Sequence, residues 1–424
     1  MDTFKSIQKA MLFVAAFTFH SHIHASTLQN EYSVDTSHRA KMQIYKQDPE
    51  VKSLGIRTIL IPTALQAGPK DYYIANRQDI AKPNKDGDFL FAPDTAEFDA
   101  THTFAVVWNT LHMYRQDMEY LSKTYPHNES YHQAIKHWDS RKYGKLSIYP
   151  KSQPDDQNAF YNRSLDKLGR PIRELRFFSF DGEKGRVHTC QSLDIVAHET
   201  GHAVLDILHP EYFDTYATMV GGFHESFGDI TAIFTALNQA DICEALYAET
   251  RGDLGQPSFL TEVAEQFGTG LGSSTGLRNL LDDVHMKTTD QEVHAISRVF
   301  TNSIYGVLKD AFREADVSFG YQTTGAEQLY DAGKFLRRLF LASVIELKKP
   351  EPTYSDFAYK LYDLALHQAK NDDPITQLNW ATHIMNNFTA KGIPVEENST
   401  ALDCIVNNNN HGLKVHICGT RLKK

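Results

Sequence analysis

The chain has 424 residues, enough for two or three compact units. Apolar residues make up 41% and charged residues 23%, which supports a buried core and excludes a wholly disordered chain. The formal net charge of −10 argues against a nucleic-acid partner, which needs an excess of Lys and Arg. No apolar run approaches about 18 residues, so no membrane span is expected.

The first segment carries Lys5 and Lys9, then an apolar stretch from Ala10 to Phe19, then the small residues of His24-Ala25-Ser26. This is the layout of a secretory signal peptide cleaved after Ala25. The alternative is a short buried helix. Export places the protein in a secreted or otherwise extracytoplasmic setting, where cysteines can pair. Cys404 and Cys418 bracket two β-prone runs around an Asn-rich turn, which reads as a stapled hairpin. Cys190 with Cys243 follows by elimination. Four free, buried thiols are the alternative.

Further along, Ile56 to Ile61 is β-prone, and Thr101 to Tyr125 has helical periodicity ended by Pro126. Short extended pieces follow between residues 143 and 180, separated by Asp, Gly and Asn turns. From Ser192 the pattern is helical. Helices fit Gly222 to Leu237, Val293 to Ala315, Gly325 to Leu347, Tyr354 to Ala369 and Leu378 to Lys391. Strands first and helices second predict an α+β fold, with a β-rich N-terminal lobe, a predominantly helical C-terminal lobe and a cleft between them. The expected divisions are 1–25 as signal, 26–95 as an N-terminal extension or short pro-like segment, 96–205 and 206–400 as the two lobes, and 401–424 as the hairpin.

The decisive string is His198-Glu199-Thr200-Gly201-His202. On a helix, positions i and i+4 share a face, so two imidazoles can meet one metal ion with the adjacent glutamate beside its open side. Glu225 is a third ligand candidate, completing a site for one zinc ion with a position left for water. Asp229, four residues on, can accept the second ring N–H of a ligand histidine. Glu199 is the candidate general base.

At this point the chain resembles the thermolysin-like gluzincin metallopeptidases over roughly residues 95 to 345. Asn158-Ala159-Phe160-Tyr161 resembles the family's cleft-lining edge strand. Ser192 to Glu199 resembles the zinc helix, and the Glu225/Asp229 segment the second zinc helix. Leu277-Arg278-Asn279 resembles the short element whose arginine holds a substrate carbonyl. Val293 to Phe300 resembles the segment whose histidine, here His294, stabilises the oxyanion, with Asp290 as its orienting partner. The resemblance implies substrate contacts from Asn158, Ala159, Leu277 and Arg278, and an oxyanion tyrosine, for which Tyr216 is the choice and Tyr212 the alternative.

The departures are His224 where the family has Asn, a longer gap from His202 to Glu225, and no acidic cluster after Asp229. Calcium, which the resemblance implies, is therefore doubtful, and Asp194 is expected to serve hydrogen bonding around the site instead. The expected function is that of a monomeric, secreted zinc endopeptidase acting on a peptide or protein substrate. The alternatives are a secreted zinc-binding interaction or effector protein without protease activity, and an aminopeptidase, for which no acidic group suited to a free amine is recognisable.

Overall fold

The structure, a computed structural model, describes residues 39–397 except 79, 139–143, 274–275, 320–322 and 369. The signal segment and the Cys404/Cys418 hairpin lie outside the described residues. Strands β1 (Ala40–Tyr45) and β2 (Ile56–Ile61) form an antiparallel hairpin. Ala40, Met42 and Ile44 alternate inward from β1, as the period of two requires. β3 (Ile74–Asn76) is followed by helices α1 (Ala96–Thr124) and α2 (Glu129–Trp138). The Thr95 side chain accepts from Phe98 N, while Glu97 and Asp99 in the first turn and Lys123 in the last suit the helix dipole.

Next come β4 (Leu146–Tyr149), β5 (Ala159–Leu165) and β6 (Pro171–Phe177). With β3 they make a four-stranded sheet in the order β3-β4-β6-β5, parallel except for the antiparallel β5 at its edge. The hairpin β7 (Ser179–Gly182) and β8 (Gly185–His188) leads into α3 (Leu193–Leu208), capped by the Ser192 hydroxyl. Then follow α4 (Thr218–Leu237), α5 (Ala240–Thr250), the short pair β9 (Glu262–Val263) and β10 (Arg278–Asn279), and α6 (Val293–Phe319). The helices α7 (Gly325–Glu346), α8 (Tyr354–His367) and α9 (Trp380–Ala390) close the order. Capping boxes start α7 (Thr324 with Glu327) and α8 (Thr353 with Asp356).

The fold is mixed α and β with small separate sheets, which is compatible with α+β. One hydrophobic cluster runs from Ala40 to Val395, so the β1–β2 hairpin shares its core with the helices. Asp117 of α1 lies 2.5 Å from Arg337 Nε and 2.9 Å from Arg338 Nε of α7, which pairs the buried guanidinium of Arg337. No helix among the described residues is long and apolar enough to cross a membrane.

Several elements go beyond what the sequence pattern predicts, among them β1, β3, α2, α5 and the β9–β10 pair. α5 follows α4 after the short break at Asn238 and Gln239, which the continuous polarity of that stretch conceals. The expected Cys190–Cys243 bridge is not formed: among the described residues both are free, buried thiols. Cys190 sits beneath α1, where its carbonyl accepts from Thr103 Oγ1, whereas Cys243 on α5 turns its Sγ to the Leu237 carbonyl. Burial raises both thiol pKa values, as expected for inert core cysteines.

Candidate metal centre and cleft

α3 and α4 cross closely because glycine faces glycine. A Cβ on Gly201 would stand 3.1 Å from the Gly228 Cα and 2.7 Å from Thr231 Oγ1. A Cβ on Gly228 would stand 2.7 Å from the His198 ring. The two helices can therefore lay their polar residues against each other in the core. His198 (6% exposed), His202 and Glu225 (both 0%) offer ligand atoms that all lie within 4.8 Å of one another. Glu225 Oε2 is 3.5 Å from His198 Nε2, and Oε1 is 3.8 Å from His202 Nε2.

Those separations are slightly wider than the edge of a small tetrahedral site, about 3.3 Å for metal–ligand bonds of about 2.0–2.1 Å. His202 Nε2 makes no hydrogen bond among the described residues, as a buried nitrogen intended for a metal would be left. Two imidazoles and a carboxylate suit a borderline-soft divalent ion. The residues present fit a metal ion.

The second ring nitrogens are held by the surroundings. His198 Nδ1 lies 2.9 Å from Asp229 Oδ1, one turn beyond Glu225 on α4. His202 Nδ1 lies 3.2 Å from His224 Nδ1. With His202 Nε2 turned to a metal ion, its Nδ1 carries the proton and donates, so His224 Nδ1 accepts and His224 is neutral. Burial pushes His224 down to about 3, which keeps it so. His224 thus occupies the site's periphery where the resembled family has Asn. Burial lowers His202 well below the usual histidine range.

Burial pushes Glu225 upward, but the hydrogen bond with His198 and the imidazoles of His202 and His294 outweigh it, so Glu225 lies well below the usual carboxylate range. Asp229 is likewise raised by burial but brought below its ordinary value, mainly by Arg278. The Arg278 guanidinium bonds Asp229 Oδ1 and stands 3.6 Å from Glu225 Oε2.

The centre opens on a cleft of about 460 Å³. Glu199, His198, Arg278, Leu277, Asn158, Ala159 and His294 all line it, with Ile195, Val263 and Phe267 as apolar wall. Asn158 and Ala159 enter at the start of the edge strand β5, and Leu277 and Arg278 at β10. His294 sits at the start of α6, with Nε2 3.5 Å from Glu225 Oε2.

Several expected placements are corrected. The carboxylate holding His294 is Glu292, whose Oε1 is 2.6 Å from Nδ1 and whose Oε2 accepts from the backbone N–H groups of His294 and Ala295. Asp290 instead accepts from the Glu292 backbone N–H. Tyr216 is 59% exposed and is not among the cleft-lining residues. Arg163 donates to Asp214 in the turn before α4 at 2.6 Å and to the Pro210 carbonyl at 3.1 Å. Tyr212 is buried and gives its hydroxyl to the Lys349 carbonyl.

Asp194 lines the cleft but does not support a ligand histidine. Its Oδ2 accepts from Gln47 Nε2 (3.2 Å) and Ala264 N (3.3 Å). It belongs to a buried acidic cluster with Asp48 and Glu265 that spacing could not reveal. Burial pushes Asp48 up to about 6; burial and then the Asp48 charge push Asp194 up to about 7; burial and the charge of Asp194 raise Glu265 strongly.

These raised values set a pH dependence. Each group favours the folded state while protonated and ionises more easily in the unfolded chain. For Asp48 and Asp194 that contribution is complete below about pH 4 and is lost as the pH rises through about 6 to 7, on the order of 3 kcal/mol each, while Glu265 stays protonated across that range. Thermal melts of the wild type should therefore fall between pH 5 and pH 8, and Asp194→Asn should lessen that fall. An identical pH dependence in both proteins would contradict the assignment.

No family model matches the chain, and no curated protein matches it.

Proposed function

We propose that the chain is an exported zinc endopeptidase of the thermolysin-like kind, with the cleft between its strand-rich and helical parts as the active site. The observation that carries this reading is the convergence of His198, His202 and Glu225 beside Glu199 at the base of an open cleft. A purely structural site would close the fourth position with another protein ligand and would have no use for a neighbouring base.

Zinc held by those three side chains would supply a Lewis acid and would acidify water toward neutrality. Glu199 takes the proton of the attacking water and delivers it to the leaving amine, which requires it to be near the metal ligands without being one of them. His294 donates from Nε2 to the developing oxyanion. Because Glu292 occupies Nδ1, the ring that donates from Nε2 is the doubly protonated one, and the carboxylate stabilises that charge. One such donor is worth about 3 kcal/mol. Asn158 and Ala159 lie where the sheet's edge strand begins, beside which an extended peptide can add, and Arg278 anchors a substrate carbonyl beside Leu277.

The test is a zinc assay together with a set of fluorogenic peptides, with and without chelator. The expected result is bound zinc and cleavage that chelation stops and zinc restores. Zinc binding without cleavage of any peptide would overturn the peptidase reading in favour of a binding protein.

A further inference from the structure

The proposed chemistry leaves one charged group in the cleft without a task. Arg298 follows His294 by one turn of α6, so both project from the same helix face, and both line the cleft. The other cleft guanidinium, Arg278, is engaged by Asp229 and Glu225. Arg298 meets a single carboxylate, Asp282, through Nη2. Its Nε–H finds no acceptor among the described residues, and its side chain is still 35% exposed.

Asn302 Nδ2 donates to the Asp282 backbone carbonyl at 3.1 Å, which fixes the backbone position from which that carboxylate reaches Nη2. A guanidinium presents five donors in a flat fork, so one carboxylate on Nη2 leaves donors for a second. Asp194, the remaining carboxylate on the cleft wall, is turned to Gln47 and Ala264. The cleft of this acidic chain therefore carries, one helical turn from His294, a guanidinium with donors beyond those its one carboxylate uses.

We infer that Arg298 is a specificity-determining residue that receives an acidic side chain of the substrate, so that peptides with Glu or Asp near the scissile bond are preferred over neutral or basic ones. This rests on the peptidase reading, and the experiment separates the two. The probes are C-terminally amidated peptides in which each position flanking the scissile bond is Glu or Gln in turn. At one position Glu should be favoured about three- to tenfold in kcat/KM, the range of a partly exposed charge pair, and salt should shrink the preference.

Arg298→Gln should bring that ratio to about one, Arg298→Lys should keep part of it, and Asp282→Asn should enlarge it. The ratio is internal to each protein and so does not depend on how much of the variant folds. The same Glu and Gln peptides are also titrated by fluorescence anisotropy against Glu199→Gln protein. A Glu preference in binding with no cleavage of any peptide would sink the peptidase reading and leave the role of Arg298 standing. Equal Glu and Gln ratios in wild type and in Arg298→Gln, in both formats, would overturn the inference.

Discussion

Glu199→Gln is expected to lower kcat by about 10²- to 10⁴-fold while leaving metal affinity close to that of the wild type. That range is what a positioned acid–base group contributes. The substitution preserves shape at a position that is 2% exposed, so it removes a proton acceptor without opening a cavity. It also leaves untouched the contacts that set the ligands, His198 with Asp229 and His202 with His224. Steady-state peptide hydrolysis measured beside zinc content checks both halves. Full activity in this variant would end the assignment of Glu199 as base, and loss of zinc would mean that it belongs to the ligand set instead.

Gly228→Ala should weaken metal binding by about 10- to 100-fold, the scale of removing a supporting partner of a ligand. The new methyl would stand 2.7 Å from the His198 ring, inside contact distance. The ring must then swing away, giving up both its bond to Asp229 and its alignment with Glu225. α4 cannot simply retreat, because Gly201 packs on the Gly228 backbone and Phe223, Phe227 and Ile230 hold α4 in the core. Chelator-competition titration of the folded variant measures the effect. Unchanged affinity would show that the His198 position in this site is not set by the helix crossing.

Much of the candidate metal centre is legible in the sequence because helical geometry turns spacing into proximity. His202 stands four positions after His198, and Asp229 four after Glu225, so each pair lies on one face of a helix whose remaining residues are mostly apolar. The glycines that let α3 and α4 touch are visible in the sequence, but their role requires knowing that these two helices cross. Beyond regular structure the reading weakened. Asp290 was chosen by a four-residue spacing that does not apply, because α6 begins only at Val293 and Glu292 caps its first turn beside the His294 ring. Tyr216 lies in a connecting turn outside regular structure, where an Arg163–Asp214 pair between residues far apart in sequence adds a contact that spacing does not show.

The Cys190–Cys243 pairing counted residues and ignored where they sit. The cluster of Asp48, Asp194 and Glu265 had no local signal, since its members come from three distant segments and only burial makes them a group. His224 stood out as a departure, yet its contact with His202 depended on the rotation of two rings across a helix interface.

The most direct measurement is metal content and coordination of the purified chain, by elemental analysis and X-ray absorption, for the wild type and for His202→Ala. The expected result is one zinc per wild-type chain, with nitrogen and oxygen neighbours at about 2.0–2.2 Å, and loss of that zinc in His202→Ala. A wild-type chain that binds no zinc, or a His202→Ala chain that holds zinc as tightly as the wild type, would contradict it.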